Sequence, residues 1–181
     1  MSTANNFALR GSALPLLFFF FSPFFLLRLE AQKISKYYTT VSQKSGNLYF
    51  IEPKYGFTNK KDKCDLTFDM TYLSSDDSLI LNFSLISPEI MEVDSVAFLQ
   101  NEKSISSRTQ KIFIEDAKKS WEHRYTSHFA IKDIRNTFQQ ENSPRMAVYS
   151  DQNILIMSMK QNHWKKERDI VSKIIRMIQV N

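Results

Sequence analysis

The sequence predicts an α+β domain built mainly on an antiparallel β-sheet of about six to eight strands, sandwich-like or strongly curved, with one short helix and a C-terminal amphipathic helix packed on the sheet. Three observations carry that prediction. Two stretches, Cys64–Leu73 (CDLTFDMTYL) and Ser78–Ser87 (SLILNFSLIS), alternate apolar with polar residues, which is the period of a half-buried strand. Residues 162–180 instead carry an apolar stripe at helical spacing. After residue 31 only two glycines remain, Gly46 and Gly56. That scarcity excludes the glycine-rich phosphate loops, which need several glycines at fixed spacing.

The N-terminal residues 1–31 read as a secretory signal peptide. Arg10 supplies a short basic region, residues 13–27 (ALPLLFFFFSPFFLL) run fifteen positions without a charge, and Ala31 is a small residue at a cleavage position before Gln32. Leu29 at the −3 position and the flanking Arg28 and Glu30 fit that pattern less well. The alternative is a retained membrane anchor. A full span takes about 20 apolar residues, and the uncharged stretch from Gly11 to Leu27 has seventeen, interrupted by Pro15 and Pro23. No cysteine lies near the cut to carry a lipoprotein-type anchor.

The expected mature chain, residues 32–181, is a single domain of 150 residues, enough to bury a core without staples. Of the 24 basic and 19 acidic residues, the leader takes Arg10, Arg28 and Glu30, leaving 22 and 18 and a net charge of +4. So slight a balance, spread along the chain, argues against a nucleic-acid partner, which calls for a concentrated basic patch. Cys64 is the sole cysteine, so no intrachain disulfide can form.

The elements follow in order. "LYFIE" (48–52) is a first strand, ended by Pro53. Cys64, Leu66, Phe68, Met70 and Tyr72 face one way, "SSDD" turns the chain, and Leu79, Leu81, Phe83 and Leu85 face inward on the return. Residues 94–101 and 110–115 are shorter strands around a polar linker, 101–109. "SWEHRYTSHF" (120–129) reads as a strand with Trp121, His123, Tyr125, Ser127 and Phe129 on one face. "IKDIRNTF" (131–138) is a short helix, "RMAVYS" and "NILIMSMK" form a hairpin, and the last helix carries Trp164, Val171, Ile174, Ile175 and Ile178 on its apolar face. Asn162 is its expected N-cap.

Candidate chemistry is sparse. His123 and His128 are five positions apart, so they point to opposite faces of a strand, or about 140° apart on a helix. Neither geometry lets both ligate one ion. His163 stands alone, and no metal or other cofactor is implied. Cys64 shares the apolar face of its strand, the environment of a small buried hydrophobe rather than of a reactive thiolate. A Cys64–His123 pair stays geometrically open, both being inward. Asp65 and Asp69 are about 13 Å apart along a strand, too far to act as a glycosidase pair. The sequon Asn82-Phe83-Ser84 falls mid-strand. Two basic clusters stand out, "KYGFTNKKDK" (54–63) and the start of the last helix. The first is the expected ligand or partner site, with Tyr55 and Phe57 interleaved among Lys60, Lys61 and Lys63.

Taken together these patterns point to an exported, non-catalytic binding or accessory domain, periplasmic or at the cell surface. Its expected partner is a protein, or a glycan or other anionic ligand, and it meets a membrane only through residues 13–27 if they are retained. The alternatives are a small exported hydrolase with an unrecognised active site, or a membrane-tethered accessory protein.

Overall fold

A computed structural model describes residues 34–151 and 153–178; the expected signal peptide and its cleavage site lie outside the described residues. A 3-10 turn, Ser35–Tyr37, leads into β1 (Tyr38–Gln43), β2 (Gly46–Ile51), β3 (Phe57–Asn59), β4 (Cys64–Leu73), β5 (Ser78–Ser87), β6 (Ser95–Gln100), β7 (Lys103–Asp116) and β8 (Trp121–Ala130). The helix α1 (Ile131–Gln139), the strands β9 (Arg145–Tyr149) and β10 (Ile154–Ser158), and the helix α2 (Gln161–Ile178) complete the chain order.

Eight of these strands form a closed antiparallel barrel. Around the ring they run β4-β3-β10-β9-β6-β7-β8-β5, and β5 pairs back onto β4 from Asp65↔Ile86 to Tyr72↔Leu79. The expected sandwich-like or strongly curved open sheet is therefore corrected to a barrel, with the β1–β2 hairpin standing outside the ring.

Two local devices bend the sheet enough to close. β7 carries a bulge between Lys111 and Phe113, and a bulge sharpens both bend and twist. The chain also kinks at residues 52–56, so that β4 pairs with β2 at Met70–Leu73 and with β3 at Cys64–Leu66 along the same edge. Gly56 permits the kink. A Cβ there would stand 2.0 Å from the carbonyl oxygen of Leu66, a distance no side chain tolerates.

An eight-stranded barrel is just wide enough for side chains to fill its interior. Here Phe57, Phe83, Phe98 and Tyr125 fill it, with Phe98 edge-on to both Phe57 and Phe129. Residues 103–109 of the expected linker 101–109 are part of β7 instead. Asn101 and Glu102, both at positive φ, make the tight turn from β6. β7 buries no residue fully, so it shows no apolar alternation to read.

The helices close one end of the barrel. The apolar stripe of α2 is buried as expected, but it lies over a barrel end rather than a sheet face. Ile175 and Ile178 meet Ile51, Tyr72, Leu79 and Ile131. Trp164 packs on Phe138 of α1 with ring centroids 4.9 Å apart and donates its indole N–H to the Gln140 carbonyl at 3.2 Å. Asn162 falls in the first turn, not at the cap; the carbonyl of Lys160, the residue before the helix, accepts from the backbone N–H groups of His163 and Trp164. No helix among the described residues is long and apolar enough to cross a membrane.

Candidate functional site

The other end of the barrel is open. Three connections meet there: the β3–β4 turn (60–63), the β5–β6 segment (88–94) and the β9–β10 turn, described at Ser150, Asp151 and Asn153. Between them lies a cleft of about 670 Å³, within the range of ligand sites, roughly 300–1,000 Å³.

The β5–β6 segment acts as a strap across the mouth, and β8 holds it from inside. His123 is fully buried. Its Nε2 accepts the Met91 backbone N–H at 3.0 Å, and its Nδ1 lies 3.0 Å from the Leu85 carbonyl oxygen. An accepting Nε2 leaves the proton on Nδ1, which donates to Leu85. One turn of the alternation further, the Tyr125 hydroxyl accepts the Val93 N–H at 3.0 Å. Its own proton faces the Met91 carbonyl at 3.3 Å and the Glu92 carboxylate at 3.4 Å. Burial pushes the Tyr125 phenol above its ordinary pKa, so it stays a neutral hydrogen-bonding group. Thr109 of β7 also donates its hydroxyl to the Val93 carbonyl.

Outside the strap, Lys111 pairs with Glu92 at 2.7 Å and holds its carboxyl below the usual range. The cleft itself is lined by four carboxylates, Asp62, Glu89, Glu92 and Asp151, against one cation, Lys61. Two isoleucines, Ile90 and Ile154, line it while 57% and 62% exposed.

Cys64 also lines the cleft, with its thiol donating to the Asp62 carbonyl at 3.3 Å. Burial, and then the nearby carboxylates of Asp62 and Asp65, push the thiol pKa up. That is the opposite of what activates a nucleophile. Both nitrogens of His123 are committed to backbone groups, so it offers no free base to Cys64. Among the described residues no group of three or more His, Cys, Asp or Glu side chains could hold a metal ion.

The residues singled out from the "KYGFTNKKDK" stretch separate into three environments. Phe57 is fully buried in the barrel core, so the expected exposed aromatic is absent at that position. Tyr55 is half-buried at the helix end, stacked on His163 of α2 at 4.0 Å with Lys54 and Lys166 over its ring. Lys60, Lys61 and Lys63 are exposed on the β3–β4 turn at the open end, with Lys63 in the left-handed region. Only Lys61 of the five lines the cleft.

On β8 the alternation holds from His123 onward: His123, Tyr125, Ser127 and Phe129 are buried and His128 is exposed, while Trp121, expected on the buried face, is half-buried. The outward Arg124 reaches across β5 to pair with Asp69 of β4 and donates to Ser84 at 3.2 Å.

Two features were missed. One is the strap, whose partners are backbone N–H groups 32 residues from the side chains that hold them. The other is Glu167, a charged residue within the basic cluster that starts the last helix. It is buried, its Oε1 accepting the backbone N–H groups of Lys54 and Tyr55 at 2.8 and 2.9 Å, so it pins the kink before β3. A signal was present: residue 167 is three after Trp164 and four before Val171, on the apolar stripe itself.

Fold and site together define a helix-capped, eight-stranded antiparallel barrel with a strapped cleft at its free end. Compared with protein-family models, with curated proteins and with solved structures, the chain matches none.

Proposed function

We propose that this chain is an exported, non-catalytic binding domain of the periplasm or cell surface, taking its ligand in the cleft at the open end of the barrel. The observation that carries the reading is how the polar side chains of the mouth are used. His123, Tyr125 and Thr109 all face inward, and each is spent on the backbone of the strap. Catalysis draws instead on an acid, base or nucleophile set converging on one reacting atom. What the cleft leaves open is contact surface, Ile90 and Ile154 among carboxylates, the mix of apolar area and polar rim on which recognition sites are built. Export rests on the leader-like residues 1–31.

The test pairs two measurements. Affinity capture from the compartment to which the protein is exported is run with the wild type and with Ile90→Glu/Ile154→Glu, both substitutions at exposed positions. The reading expects a protein recovered by the wild type and lost by the double variant. The same recovery with both proteins would exclude the cleft. N-terminal sequencing of the exported chain is expected to begin at Gln32, and a retained Met1 would replace secretion with tethering.

A further inference from the structure

The wall of the cleft formed by β10 is an unpaired strand edge, and this determines what kind of ligand fits. The β9–β10 turn closes with a reciprocal pair of backbone hydrogen bonds between Ser150 and Asn153. In an antiparallel ladder such pairs recur at every second residue. Leu155 and Met157 therefore bond to Val148 and Met146 of β9, while the N–H and C=O of Ile154, Ile156 and Ser158 point the other way, toward β3.

On that side β3 is too short to meet them. The one β3–β10 bridge among the described residues is Ser158↔Thr58, because β3 ends at Asn59 and turns away at 60–63. The Asn59 side-chain amide covers the Ile156 carbonyl at 3.0 Å. The N–H and C=O of Ile154 and the N–H of Ile156 have no strand partner there among the described residues. Residues of the β3–β4 turn and of β10 line the same cleft, so the cleft occupies the place of the missing strand.

We infer that the ligand is an extended peptide segment of apolar and basic residues, which adds to the edge of β10 as a further strand. This rests on the cleft being the binding site, as proposed above. Edge strands left open to solvent are normally blunted by lysine, proline or a bulge, and the outward residues here, Ile154, Ile156 and Ser158, carry no charge. Strand addition draws affinity from main-chain hydrogen bonds and specificity from flanking side chains. Here the flanks are Ile90 and Ile154 for apolar side chains, and Asp62, Glu89 and Asp151 against Lys61 for cationic ones, Glu92 being held by Lys111. Among the described residues β1 offers a second free edge, but every residue of β1 after Tyr38 is exposed, so no described wall flanks an incoming strand there.

The test is an NMR titration of the isotope-labelled protein with three capped synthetic hexapeptides. The first alternates lysine and valine, the second alternates glutamate and valine, and the third is the first with every amide N-methylated. The lysine peptide is expected to shift the Ile154 and Ile156 amides and to slow exchange of the Ile156 N–H at least tenfold, while the other two leave them unmoved. Equal binding of the methylated peptide would overturn strand addition, equal or tighter binding of the glutamate peptide would overturn the charge assignment, and no response to any of the three would overturn the inference outright.

Ile154→Pro removes a backbone N–H that makes no bond to β9, and it is expected to weaken the lysine peptide at least tenfold. Should that variant fail to fold, Glu89→Lys/Asp151→Lys, at two exposed positions, is expected to reverse the preference toward the glutamate peptide; an unchanged preference overturns the charge assignment. The two readings fail separately. Loss of protein capture by Ile90→Glu/Ile154→Glu without any peptide response removes strand addition alone, and undiminished capture by that variant removes the cleft.

Discussion

Replacing His123 by leucine tests whether the strap is held from inside the barrel. The substitution keeps an apolar body of similar size but strands one backbone group, the Met91 N–H, while the Leu85 carbonyl, in a strand paired on both sides, keeps a ladder partner. A buried polar group left without a partner costs about 1–3 kcal/mol. The full range is not reached if the strap lifts and lets water satisfy Met91. The loss is then the cost of freeing one segment, about 2 kcal/mol.

The two regimes differ in hydrogen exchange. A local release of about 2 kcal/mol speeds exchange of the Met91 amide about 30-fold, while the central amides of β5 and β8 keep protection set by global unfolding. Tyr125→Phe, which removes the acceptor of the Val93 N–H, is expected to speed the Val93 amide and spare Met91. The reasoning is refuted if His123→Leu lowers global stability while Met91 exchanges no faster than the core. His123 would then be a packing residue and the strap would be held by something else.

Glu167 gives a prediction with a sign. Burial raises its carboxyl pKa, partly offset by the Lys54 and Tyr55 N–H groups and the Lys54 charge. A native pKa above the unfolded value means that the folded state binds the proton more tightly. Its contribution to stability is therefore fully present below the unfolded pKa and lost as pH rises through the native one. Glu167→Gln keeps an acceptor oxygen and removes the buried charge, so it is expected to flatten stability against pH in that window, measured by urea unfolding. Glu167→Ala leaves both N–H groups unmet and is expected to cost about 2–4 kcal/mol; equal stability of the two variants would contradict the pinning role. Gly56→Ala drives a methyl group into the Leu66 carbonyl and is expected to destabilise by about 1–3 kcal/mol or more, seen as a lowered melting temperature. Cys64 is expected to react with a thiol reagent far more slowly in the native protein than in urea, and rapid native labelling would contradict its raised pKa.

The parts of the fold legible in the sequence are those where one face is wet and the other dry. β4, β5 and β8 alternate between buried and more exposed residues along most of their length, and alternation in burial is what alternation in residue type reports. β1 and β7 bury no residue fully, so their β-branched and polar residues carry no such period, and the three residues of β3 are too few to show one. Closure is harder still, because it depends on the β7 bulge and on a kink set by Gly56 against a strand ten positions away. Within the site, the faces of "SWEHRYTSHF" were readable from period two alone. That His123 and Tyr125 hold a strap was not, since backbone N–H groups leave no mark in residue type. The loop Tyr55–Phe57 misled through composition: aromatics among lysines resemble a recognition surface, yet the same two-residue spacing sends Phe57 into the core.

The single bridge between β3 and β10 also has a kinetic consequence. Asn59 and Ile156, which meet across this seam, are 97 residues apart in sequence, whereas the β4–β5, β6–β7 and β9–β10 hairpins form from near neighbours. Contacts of such long separation carry the largest loop-closure entropy and form late. β10 is the last strand in chain order among the described residues, so a ring emerging during synthesis stays an open, edged sheet until β10 has been made. With so few bonds across it, the same seam is the cheapest place for the native ring to breathe. Opening and refolding of this protein are therefore expected to pass through one door, the side of the barrel where the cleft lies.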